Sequence, residues 1–134
     1  MEREFRRSID SLDDVFSFVE ECASAYSLDD TIRLPLSLAI EEAFTNAVRH
    51  NFSSHQSLSL SIVTDDRTIV VNLIDRDAKR FDVVYPGPED IDSRLRQGNP
   101  GGLGLHLIRV FMDSVDFTYK NGNSIITMTK NVDK

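Results

Sequence analysis

The sequence predicts a two-layer α/β sandwich: a mixed, mostly antiparallel sheet carrying three helices on one face. Three observations predict it. Apolar residues alternate with polar ones in short separate runs, as in Leu58, Leu60 and Ile62 between Ser57, Ser59 and Ser61. Elsewhere they recur at helical spacing in longer segments. Most strand neighbours are separated by hairpin-type turns, which makes the sheet largely antiparallel and leaves the helices to cover one face.

In chain order, residues 4–9 read as a short strand. Ser11 and Asp14 resemble a capping box with the shorter acid. Behind them Leu12, Val15, Phe16, Val19, Ala23 and Tyr26 give a first helix over 11–26. Pro35 suits the first turn of a second helix, whose stripe of Leu36, Ile40, Ala43, Phe44, Ala47 and Val48 runs on to about Asn51. Strands follow around 58–62 and 68–74, hinged at Asp65-Asp66-Arg67. Pro86, Gly87, Pro88, Gly98 and Pro100 then punctuate a long segment, about 76–100, with one short polar helix expected near 89–97. Loops this long in small domains are usually lids or disordered segments. Gly101-Gly102-Leu103-Gly104 opens a third helix carrying Leu105, Ile108, Phe111 and Met112. Strands 115–119 and 124–129 close the chain around Asn121-Gly122, a strong hairpin signal.

The 134 residues fit one domain, 1–134, large enough to bury a core without staples. The formal net charge of −7 weighs against a nucleic-acid partner, which asks for a basic face. Arg3, Arg6 and Arg7 form a small basic cluster, read as a solvated strand face or, alternatively, a partner contact. The single cysteine, Cys22, excludes an internal disulfide and reads as a buried, inert thiol. No leader pattern and no apolar run long enough to span a bilayer is present, so a soluble cytoplasmic protein with no membrane association is expected.

Three features carry chemistry. Glu42 and Asn46 stand four apart, on one face of the second helix. A carboxylate and an amide so stacked can share a small site, one taking a proton and the other ligating a hard cation; a hydrated helix face fits the same spacing. Asp75, at a strand exit beside the long segment, can accept a hydrogen bond from an adenine amino group or simply form a turn. The Gly101–Gly104 run permits close backbone approach, and the helix behind it offers N–H groups and dipole to a phosphate, although a flexible joint would look alike. It is neither a P-loop nor a dinucleotide fingerprint, since no Gly-Lys-Ser/Thr follows and the third glycine is missing.

Taken together, in this order, these elements resemble the ATP-binding domain shared by gyrase, the histidine kinases and the mismatch-repair ATPases. Within that superfamily the chain looks like the anti-sigma-factor serine kinases. The residues carrying the resemblance are Glu41-Glu42-Ala43-Phe44-Thr45-Asn46-Ala47-Val48-Arg49-His50, Gly101-Gly102-Leu103-Gly104-Leu105-His106-Leu107-Ile108 with Met112-Asp113, and the ending Thr127-Met128-Thr129-Lys130. One box departs: Asp77 stands where the family usually has a glycine two residues after its aspartate.

The resemblance implies a histidine-kinase-like ATPase fold and transfer of a phosphoryl group from Mg-ATP to a serine or threonine hydroxyl. Glu42 would be the general base and Asn46 the Mg²⁺ ligand. Asp75 and Ser124 would lie at the adenine, and Gly102, Leu103 and Gly104 at the phosphates. The lid would close with Arg94 and Arg96 as cations. The implied partners are an anti-sigma-antagonist protein of the STAS type and a sigma factor, with a homodimer also implied. Alternatives are a nucleotide-binding regulatory module without phosphotransfer, a histidine-kinase catalytic domain, and a protein-interaction domain that binds no nucleotide.

Overall fold

The computed structural model describes residues 1–50, 56–65, 67–76 and 107–132, with His50 described by its backbone alone. The expected lid beyond Arg76, the short helix near 89–97 and the Gly101–Gly104 run lie outside the described residues.

Five strands form one sheet in the order β1-β2-β3-β5-β4: β1 (Glu2–Phe5), β2 (Leu58–Thr64), β3 (Thr68–Asp75), β4 (Ser114–Lys120) and β5 (Asn123–Asn131). All four pairings are antiparallel among the described residues, the antiparallel end of the sheet expected. Helices α1 (Leu12–Ala25) and α2 (Asp30–His50) connect β1 to β2, and residues 107–111 form a further helix before β4. Apolar residues from all three helices join the inner sheet face in one core.

The inner face is built in transverse rows. Leu60, Leu73 and Ile126 are register partners in one row, and Ile62, Val71 and Met128 in the next; all six are buried. Burying such a side chain contributes roughly 1.5–3 kcal/mol each. Phe5 anchors the edge strand to both helices, with edge-on contacts to Phe18 of α1 at 5.8 Å and to Phe44 of α2 at 6.2 Å between centroids. Cys22 lies fully inside this core, and burial pushes its thiol pKa up, in keeping with an inert group.

Several local readings are corrected. The first strand ends at Phe5 rather than running to residue 9, because the chain turns inward there: Ser11 Oγ donates to the Arg6 carbonyl at 2.8 Å, and Ser8 Oγ accepts the Asp10 N–H at 3.1 Å. Ser8 thus caps the 3₁₀ turn Ile9–Ser11, and the capping box at Ser11 does not form because Ser11 is already helical (φ −78°, ψ −7°) with no side-chain cap bond. The second helix begins at Asp30, not beside Pro35. Asp29 nucleates it by accepting the Thr31 N–H at 2.9 Å, which leaves Pro35 inside the helix without a bond to the Thr31 carbonyl.

The two hairpins form as the sequence predicts. At the β2–β3 turn Asp65 accepts the N–H groups of Arg67 and Thr68, both at 2.8 Å; the Arg67 bond foremost holds its carboxyl below the ordinary value. At the β4–β5 turn Asn121 (φ 54°) and Gly122 (φ 80°) both take the left-handed conformation that a type I′ hairpin needs. A Cβ on Gly122 would meet nothing within 4 Å, so only the backbone opposes a side chain there. Gly122→Ala is therefore expected to cost about 1–2 kcal/mol. Urea unfolding should show this as a lower midpoint at unchanged slope; an unchanged midpoint would show that the turn does not need glycine.

Candidate functional site

One row of the inner face breaks the apolar pattern. Its register partners run Phe5, Leu58, Asp75, Ser124, Tyr119 across all five strands. Asp75 ends β3, Ser124 stands directly opposite it on β5, and both are buried. Period-two alternation continues the apolar sets Ile69-Val71-Leu73 and Ile126-Met128 into these two polar residues. A core position held by a carboxylate beside a hydroxyl is costly unless each has partners.

Asp75 has a buried partner in Arg7. The guanidinium donates through Nη2 to Oδ1 at 2.5 Å and through Nη1 to Oδ2 at 3.0 Å, a bidentate fork. The Arg7 side chain is 1% exposed and that of Asp75 12%. Arg7 also donates through Nη1 to the Ala47 carbonyl at 3.3 Å and through Nε to the Gln56 carbonyl at 3.1 Å. Ala47 is among the last four residues of α2, whose carbonyls have no partner within the helix, and a cation there complements the helix dipole. Arg7 thus ties together the end of α2, the chain entering β2 and the end of β3. The solvated-face reading holds for Arg3 and Arg6, which are exposed, and is corrected for Arg7. The available signal was alternation: Arg7 follows buried Phe5 by two residues.

Asn46 immediately precedes Ala47. It is 2% exposed, and its Nδ2 has no hydrogen-bond partner among the described residues. An orphaned amide in a folded core points to a missing ligand, since such a group costs about 1–3 kcal/mol. A half-turn of the amide presents its oxygen instead, the atom a hard cation takes. Glu42 lies one helical turn before Asn46 and is half-buried. The donor set fits an adenine nucleotide with Mg²⁺: an amide for the cation, an acid one turn away, and a carboxylate–hydroxyl pair at the sheet end.

Comparison with known proteins gives the family. The family model for the histidine kinase-like ATPase domain matches residues 5–130. The chain belongs to that family. Among curated relatives of this histidine kinase-like ATPase are serine-protein kinases RsbW. That of Listeria monocytogenes is 30% identical over 106 residues, 74% of this chain and 66% of the relative. That of Staphylococcus aureus is 32% identical over 106 residues, 72% of this chain and 64% of the relative. The aligned region thus spans just under two thirds of these relatives' lengths. Two solved structures share the fold. The RsbU and RsbW domains of a Mycobacterium tuberculosis protein align at TM-score 0.70 and 16% identity, covering 97% of this chain and 31% of that one. The Pseudomonas aeruginosa SiaB–SiaC complex aligns at TM-score 0.66 and 12% identity, covering 98% of this chain and 88% of that one.

Of the residues singled out in the sequence, Glu42 and Asn46 share one face of α2, and Asp75 and Ser124 are cross-strand partners. Arg7 links the Asn46 turn to Asp75. Gly102, Leu103, Gly104, Asp77, Arg94 and Arg96 lie outside the described residues. Sequence reasoning missed Arg7 as a site residue. Among the described residues no helix is long and apolar enough to cross a membrane.

The orphaned amide generates a prediction. In nucleotide-free protein, Asn46→Leu should raise stability by about 1 kcal/mol, since it removes an unpartnered buried polar group at similar volume. Urea unfolding measures it, and a loss of stability would show that the amide is satisfied within the protein.

Proposed function

We propose that the chain is an ATP-dependent serine/threonine protein kinase that acts as an anti-sigma factor and phosphorylates a STAS-type anti-sigma-antagonist in a partner-switching system. The observation that carries this reading is the buried amide of Asn46, whose Nδ2 has no hydrogen-bond partner among the described residues, one turn from Glu42 and linked through Arg7 to the Asp75–Ser124 pair. The RsbW relatives, which are serine-protein kinases, support it.

Mg-ATP, when bound, supplies the phosphoryl group and the cation that offsets its charge. Asn46 would hold the cation through its amide oxygen. Asp75 would accept an adenine N–H, with Ser124 beside it as donor or acceptor. Gly102, Leu103 and Gly104 would approach the phosphates with their backbone N–H groups. Glu42 would take the proton of the partner's hydroxyl as the new O–P bond forms and the bond to the ADP oxygen breaks. With the phosphoryl group held and neutralised, positioning and one proton transfer suffice. In this reading the partners are the antagonist, a sigma factor and a second copy of the chain, with neither nucleic acid nor membrane, and the protein works in the cytoplasm.

A second reading rests on Asp77, which stands where the family usually has a glycine. A nucleotide-binding regulatory module without phosphotransfer would tolerate a side chain there more readily than a kinase whose adenine must seat closely. Labelled phosphate that never reaches any antagonist, despite nucleotide binding, would favour this module.

Calorimetric titration with ATP and ADP, with and without Mg²⁺, tests the nucleotide site; heat of binding that depends on Mg²⁺ is expected, and none at millimolar nucleotide would end the reading. Glu42→Ala should keep ATP affinity while slowing transfer to the antagonist by about 10²–10⁴-fold; near wild-type transfer would remove Glu42 from the base role. Asn46→Ala should reduce the Mg²⁺ dependence of nucleotide binding, and an unchanged dependence would assign the cation to another ligand.

A further inference from the structure

We infer that Arg7, from the segment between β1 and α1, is a positioning residue that sets base specificity at this site by fixing the Asp75 carboxylate. The inference rests on the nucleotide reading above and names a residue and a selectivity that the reading leaves open. Arg7 makes no use of solvent: its side chain is 1% exposed, and Nε, Nη1 and Nη2 are all engaged. Two of its acceptors are backbone carbonyls, of Ala47 in α2 and of Gln56 in the segment leading into β2. These fix the guanidinium plane independently of Asp75, and the fork then fixes the carboxylate plane.

Bidentate geometry of this kind belongs to arginine; lysine delivers the same charge from a point. A carboxylate offers about four acceptor positions, and the fork engages two of them, so pairing with Arg7 leaves it chemically able to accept a nucleobase N–H. What the pairing decides is orientation. A carboxylate held in one plane accepts an exocyclic amino group and repels an exocyclic carbonyl oxygen at the same place. The selected ligand class is therefore a purine nucleotide with an amino group at the edge facing Asp75. Adenine carries an amino group at its six-position, where hypoxanthine carries an oxygen.

The test compares ADP with inosine diphosphate, both with Mg²⁺, by calorimetry on the wild-type chain and on Arg7→Lys. The wild type should prefer ADP by about ten- to a hundredfold, the range for a hydrogen bond to a charged group. Arg7→Lys should bring that preference to within about threefold, mainly by weakening ADP, because a single-point donor leaves the carboxylate free to turn. A purely structural role would weaken both nucleotides alike and leave the ratio unchanged, which would overturn the inference. Wild-type binding of ADP without preference over the inosine nucleotide would overturn it as well, while leaving the nucleotide reading standing. Failure of the wild type to bind either nucleotide would sink that reading and the inference with it.

Should Arg7→Lys fail to fold, as loss of a buried ion-pair fork can cause, the wild-type protein gives the second readout. The Arg7 Nε–H resonance, held by the Gln56 carbonyl, should shift on saturation with ADP and stay near its free position with the inosine nucleotide. Equal shifts with both, or with neither, would overturn the inference.

Discussion

The buried ion pair between Arg7 and Asp75 is the interaction on which the arrangement of this site depends. Taking two charges out of water costs several kcal/mol per ion, and attraction alone does not reliably offset it. Here the geometry does more than pair charges. The fork gives each carboxylate oxygen a donor, and two further guanidinium N–H groups go to the Ala47 and Gln56 carbonyls. One of those carbonyls, that of Ala47, is among the last four of α2, which have no partner within the helix. A single side chain thus settles the polar requirements of three elements where they converge.

That convergence lies where the apolar rows of the sheet end. Each inner row from Ile62–Val71–Met128 to Leu60–Leu73–Ile126 is sealed by helices, and the next row turns polar at Asp75 and Ser124. The core thus carries the scaffold up to the site and stops. Phe5 clamps the edge strand to α1 and α2 just before the chain delivers Arg7. Aromatic anchoring and ion pairing are consecutive events in one stretch of backbone, so the position of Arg7 inherits the rigidity of the core.

The Asn46 amide shows the opposite balance. Its nitrogen is buried and has no hydrogen-bond partner among the described residues, while Ala43, Ala47 and Val48 beside it on α2 pack into the core. Stability alone would favour a hydrocarbon there. A residue that lowers stability in the free protein and matches the chemistry of a cation–nucleotide complex is the usual mark of a site selected for binding.

By itself the sequence determined the elements and their type. Period-two and helical spacings are local properties of the chain, so the strands around Leu58–Ile62 and Thr68–Ile74, the Asn121-Gly122 hairpin and the stripe of α2 could be read without neighbours. Glu42, Asn46, Asp75 and Ser124 were legible as candidates because their order and spacing resemble a known family. Element ends were less legible: Ser8 and Asp29, not Ser11 and Pro35, govern the helix starts, since several residues could cap and only the path of the chain selects among them. Tertiary structure alone decided that Asp75 faces Ser124, that the Asn46 Nδ2 is buried without a hydrogen-bond partner among the described residues, and that Arg7 turns inward while Arg3 and Arg6 stay out. These are long-range facts. Arg7 and Asp75 lie far apart in sequence, and whether a charge is solvated or buried depends on what the fold brings beside it.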